Sequence, residues 1–147
     1  VCVGERRAWR QGGGDAESAA GGQRLNLTAF PSREALIEAS AARLARALHS
    51  AIAKRGAACA ALSGGSTPAP IYRALAAAPL AWPKITFALV DERFVPPSSP
   101  ASNQGMIEGA LAPALAAGAR LLPMYAASQT LEAAADCADA LYAPLSY

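Results

Sequence analysis

The chain has 147 residues, of which 53% are apolar and 16% charged, with a formal net charge of +2. That length suits one domain and the apolar share can fill a core, although much of it is alanine, which packs helices closely but adds little area per residue. The sequence has no basic stripe with interleaved aromatics, so nothing points to a nucleic-acid binder, and no acidic run that would suggest a charged tail.

Residues 1–24 mix Gly, Arg, Glu and Ser without period. They lack the apolar centre of a secretory signal and carry Glu5, Asp15 and Glu17, which an organelle transit peptide would avoid. They read as a disordered extension. From residue 25 to 147 the chain reads as the N-terminal portion of an α/β domain. Leu25–Phe30 is a short strand candidate. Ser32 then caps a helix with Glu34 in its first turn, and Ile37, Ala41, Leu44, Leu48 and Ile52 recur at helical spacing on one face until Gly56. Ala57–Leu62 is uncharged, as expected for a strand covered on both faces, with Cys59 in the core. The turn Ser63–Thr67 leads to a helix beginning at Pro68. Ile85–Val90, after Trp82 and Pro83, is the clearest strand. A Pro/Ser-rich loop follows, then a helix capped by Ser102 or Asn103 and ended around Pro113. Arg120–Tyr125 is a weak fourth candidate strand. A last helix runs from Ser128 with Leu131, Ala134, Ala138, Leu141 and Leu145 on one face, its final turn disturbed by Pro144.

Strands alternating with helices of crossover length predict a Rossmann-like parallel sheet with helices on both faces. Ligands of such sheets bind outside the carboxyl ends of the strands. Two chemistry-bearing segments stand at such ends.

The first is Ser63-Gly64-Gly65-Ser66-Thr67-Pro68. Two glycines allow positive φ and close approach of a ligand to the backbone, and helix-start amides with the Ser66 and Thr67 hydroxyls suit a phosphate. No GK[ST] follows, so this is not a P-loop. An ordinary βα turn with Pro at the first helical position explains the same residues. The second segment is Asp91-Glu92-Arg93. A carboxylate there can orient sugar hydroxyls or accept a proton, and Arg93 can grip a phosphate with two donors at once. A strand-end salt bridge is the plain alternative, as helix capping is for Ser102 and Asn103. His49 reads as a solvated or partly buried helix residue.

Inventory excludes further chemistry. Cys2, Cys59 and Cys137 form no CxxC pair and read as reduced thiols of a cytoplasmic protein. One histidine leaves no zinc set, and no run reaches the about 20 apolar residues of a membrane span.

Taken together, Leu62-Ser63-Gly64-Gly65-Ser66-Thr67-Pro68 with Tyr72, Val90-Asp91-Glu92-Arg93 with Val95-Pro96, and Ser102-Asn103 with Met106 resemble the 6-phosphogluconolactonase family, as does Trp82 before the third strand candidate. The resemblance runs from about Leu25 to Leu145. It implies a Rossmann-like fold and hydrolysis of 6-phospho-D-glucono-1,5-lactone to 6-phosphogluconate, with a sugar phosphate as partner and no metal or organic cofactor. By position, Gly64, Gly65, Ser66 and Thr67 would bind substrate and its phosphate, Asp91 would act on the sugar ring, Arg93 would face the phosphate, and Glu92 would support them. Turn amides and guanidinium are thus expected to converge on one anion site. Glucosamine-6-phosphate deaminases of the same superfamily typically carry Asp-Glu-Tyr where this chain has Asp91-Glu92-Arg93; a non-catalytic sugar-phosphate-binding domain is the other alternative. A later family segment resembling LGMGxDGHTAS, with its presumed general base, has no counterpart here. This chain is therefore expected to be weakly active or inactive and prone to association.

Overall fold

The computed structural model describes residues 27–127 and 130–145. Its first element is α1, Arg33–Arg55, which begins where the Ser32 hydroxyl accepts a hydrogen bond from the amide of Ala35 (3.1 Å) and ends at Gly56, whose φ of +81° turns the chain out of the helix. Ala41 and Leu48 are buried, with Leu44 and Ile52 packed beside them, so the predicted face is the packed face. The strand expected at Leu25–Phe30 does not form over residues 27–30. Leu27 is 86% exposed, and these four residues pair with no strand among the described residues; Leu25 and Asn26 lie outside the described residues, as does the extension 1–24.

Among the described residues three strands make one parallel sheet in the order β1 (Ala58–Leu62), β2 (Ile85–Leu89), β3 (Arg120–Leu121). β1 and β2 run in register from Ala58 opposite Ile85 to Leu62 opposite Leu89. The central strand is covered on both faces: Ile85 and Phe87 point one way and Ala88 the other, and all three are 0% exposed. β1 differs from its expectation. Ala61 is exposed and Cys59 only half-buried: these two residues share one face of β1, the edge strand among the described residues, and that face is incompletely covered. Burial of that degree still pushes the Cys59 thiol up, against a smaller opposing hydrogen bond from the backbone of Ala60.

Helix α2, Pro68–Ala76, joins β1 to β2 through a 3-10 turn at Trp82–Lys84, and buries Tyr72 and Leu75 against the sheet. The helix expected to end near Pro113 is two: α3, Asn103–Ala110, and α4, Ala112–Ala116, with Pro113 in the first turn of the second, where a missing N–H costs nothing. β3 is shorter than Arg120–Tyr125. Pro123 offers no N–H to extend it, and the Tyr142 hydroxyl occupies the next rung, accepting from the Leu89 amide and donating to the Leu122 carbonyl, both at 3.0 Å. Tyr142 comes from α5, Leu131–Tyr142, which is capped by Thr130 and stops before Pro144 and Leu145. Its expected start, Ser128, lies outside the described residues. No helix among the described residues is long and apolar enough to cross a membrane.

Candidate functional site

Because Leu62 and Leu89 are partners, and the Val90 amide adds one more bond to the Leu62 carbonyl (2.9 Å), the two chemistry-bearing loops leave the sheet side by side. The placement follows from the apolar strands, whose burial fixes the register.

In the first loop Gly65 has φ +112°, a conformation that L side chains rarely adopt. Gly64 is glycine for a different reason. A Cβ there would overlap the side-chain amide of Asn103. The Tyr72 hydroxyl donates to the Ser63 carbonyl (3.0 Å) and anchors the turn to α2. Ser63, Ser66 and Thr67 are exposed, and Thr67 makes no side-chain cap bond to α2. Pro68 and Pro70 remove two of the first-turn N–H donors that a helix start would normally offer. Donation to an anion therefore falls to the amides of the turn itself, which have no acceptor among the described residues.

In the second loop each charge has a different task. Glu92 reaches the start of α3, accepting from the amides of Arg93 (2.8 Å), Asn103 (2.8 Å) and Gln104 (2.7 Å) and from the Ser102 hydroxyl (2.9 Å). Burial raises its pKa, but these four donors outweigh that and hold the carboxyl below its ordinary value. Glu92 is thus occupied as a helix-start acceptor. Arg93 forms no strand-end salt bridge among the described residues. Its Nη1 donates to the Ala101 carbonyl (3.0 Å) and to Asn103 Oδ1 (2.7 Å). Asp91 is exposed, its Oδ2 accepting from Asn103 Nδ2 at 3.2 Å.

The structure thus brings Gly64, Asp91 and Arg93 around one residue, Asn103, while Gly65, Ser66 and Thr67 continue the turn outward. Turn and guanidinium share one end of the sheet, with the Asn103 amide interposed at Gly64 rather than an open gap. Asn103 read in the sequence as a possible cap. Ser102 holds that role, accepting from the Gly105 amide (3.1 Å), which leaves a buried asparagine as the first residue of α3. A poor helix former directly after a good cap is the signal that could have marked it. His49 is exposed on α1. Among the described residues no group of His, Cys, Asp and Glu could hold a metal ion. An apolar cleft of about 180 Å³ lies beside the site, between Glu92, Arg93 and Phe94 on one side and Met124, Tyr125 and α5 on the other. Its walls do not include the glycine turn, and they offer an anion little besides Arg93.

Residues 31–146 match the family model described as glucosamine-6-phosphate isomerases/6-phosphogluconolactonase. The chain belongs to this family. It is 47% identical over 119 residues to a 6-phosphogluconolactonase of Mesorhizobium japonicum, covering 81% of this chain and 50% of that protein. To the protein of the same name from Rhizobium meliloti it is 45% identical over 120 residues, covering 82% and 52%. The crystal structure of a 6-phosphogluconolactonase from Shewanella baltica superposes with a TM-score of 0.75 at 30% identity, over 80% of this chain and 50% of that one. That from Thermotoga maritima gives 0.61 at 26% identity, over 71% and 48%. The chain spans about half the length of the curated relatives it matches.

Proposed function

We propose that this chain is the substrate-binding half of a 6-phosphogluconolactonase, acting in the cytoplasm on 6-phospho-D-glucono-1,5-lactone and yielding 6-phosphogluconate. The observation that carries this reading is the shared departure of the glycine turn and the Asp91–Arg93 segment from paired strand ends, with Asn103 touching both. In this reading the amides of Gly65, Ser66 and Thr67 and the hydroxyls of Ser66 and Thr67 take phosphate oxygens, and Arg93 adds a cation to the same anion. Asp91, exposed at the strand end, accepts hydrogen bonds from ring hydroxyls or a proton from attacking water. The relatives named above are all called 6-phosphogluconolactonase, and Arg93 stands where the deaminase motif has tyrosine.

Opening a lactone needs an activated water and a stabilised oxyanion. Among the described residues at this site Asp91 is the one group suited to the first task, and it is also needed for orientation. The chain is therefore expected to bind 6-phosphogluconate and to turn the lactone over slowly or not at all. Calorimetric titration with 6-phosphogluconate, beside a coupled assay of lactone hydrolysis, tests this. Binding that is weakened in Arg93→Ala supports it. Absence of binding in the wild-type chain, or ammonia release from glucosamine 6-phosphate, contradicts it.

A further inference from the structure

We propose that Asn103 is the positioning residue of this site: its side-chain amide fixes the Arg93 guanidinium and the Asp91 carboxylate relative to each other and sets how closely both approach the glycine turn. The claim about geometry stands alone; the claim about ligand binding rests on the sugar-phosphate reading.

Three independent features converge on this amide. The first is satisfaction under burial. Asn103 is 3% exposed, and a primary amide so deeply buried is costly unless its polar atoms are partnered. Its partners are the two candidate groups themselves. Oδ1 accepts from Arg93 Nη1 at 2.7 Å, while Nδ2 donates to the Asp91 carbonyl at 2.9 Å and to Asp91 Oδ2 at 3.2 Å. An amide can accept from a cation and donate to an anion at once. A carboxylate can do only the first, and an apolar side chain neither.

The second feature is Gly64. Its backbone does not lie in the left-handed region, so conformation does not demand glycine there. Space does, because a Cβ would coincide with the Asn103 amide. The first glycine of the turn and the asparagine that opens α3 thus form a matched pair. The third feature is anchorage. The Asn103 amide N–H is held by Glu92 (2.8 Å), and the residue before it caps α3, so the side chain departs from a backbone fixed on both sides.

The consequence for binding is directional. Arg93 Nη1 is taken by Asn103 and Ala101, so the other edge of the guanidinium, Nε and Nη2, is what remains to meet an anion. Without Asn103 the guanidinium keeps its charge and loses its aim, and Asp91 loses the donor that holds its carboxylate.

Two double-variant cycles test this. In the first, 6-phosphogluconate affinity is measured by calorimetry for the wild-type chain, Asn103→Ala, Arg93→Ala and the double variant. The expected result is a loss of about tenfold for Asn103→Ala when Arg93 is present, and a clearly smaller loss, from Asp91 alone, when Arg93 is already alanine. An unchanged affinity, or an equal loss in both backgrounds, overturns the role. The second cycle needs no ligand. Gly64→Ala is expected to lower Tm by about 5 °C in the wild-type background and by less than half of that beside Asn103→Ala, where the space is open. Additive shifts overturn the pairing. If Asn103→Ala does not fold, Asn103→Ser, which also clears the side facing Gly64, takes its place in both cycles. A wild-type chain that binds no 6-phosphogluconate sinks the sugar-phosphate reading, and the melting cycle then decides the Asn103 geometry by itself.

Discussion

After β1 the chain turns mainly on backbone: Gly65 at positive φ, Gly64 packed flat, and Ser66 and Thr67 exposed with no cap bond from Thr67 to α2. After β2 it turns on side chains, with Glu92, Arg93, Ser102 and Asn103 exchanging hydrogen bonds of 2.7–2.9 Å. The charged loop has spent its donors except the Nε and Nη2 edge of Arg93, and the glycine turn has its donors open. A ligand gains most where protein donors are not already satisfied, so the glycine turn is the receiving side and the charged segment the rigid side.

That contrast breaks first at Gly64, where the two loops touch. Gly64→Leu forces a branched side chain into the Asn103 amide, and about 3 kcal/mol of destabilisation is expected in denaturant unfolding. A neutral result would mean that the loops are not in contact. Glu92→Ala sharpens the contrast from the other side. It strips the acceptor from three amides and one hydroxyl, with an expected loss of about 2 kcal/mol in the same measurement. Smaller still is the comparison of the two helix starts. Ser102→Ala removes a cap that is made and should cost about 1 kcal/mol. Thr67→Ala removes one that is not made and should stay within about 0.5 kcal/mol, while weakening 6-phosphogluconate binding if the turn is the receiving side.

The mildest effect is on pH. The folded-state pKa of Glu92 is depressed, so its contribution to stability is full above its unfolded value of about 4.3 and fades as pH falls through the lower folded value. Chemical denaturation followed from pH 6 to pH 3 should show this decline in the wild-type chain and a shallower one in Glu92→Gln. Equal slopes would mean that the four donors around Glu92 do not favour its charged form.

β1 and β2, α1 with its Ser32 cap and Gly56 stop, and the position of both loops at strand ends were legible because each rests on local pattern: apolar runs, helical spacing, capping residues. What was not legible depends on contacts distant in sequence. Nothing near Leu25–Phe30 says that residues 27–30 meet no strand among the described residues. Nothing near Ala57–Leu62 says that β1 is an edge whose Ala61 faces outward. The truncation of β3 needs Tyr142, more than a dozen residues on, to take the rung that Leu89 and Leu122 leave open. Asn103 likewise looked like a cap because capping is local, whereas its partners Gly64, Asp91 and Arg93 are brought to it by the sheet.

The most direct test of the account is a titration of the isotope-labelled chain with 6-phosphogluconate, followed by NMR at the backbone amides of Gly64, Gly65, Ser66 and Thr67 and at the Arg93 guanidinium. Turn and guanidinium signals are expected to move together along one saturation curve. Movement of the Arg93 signal with a silent turn, or of the turn with a silent Arg93, would contradict it.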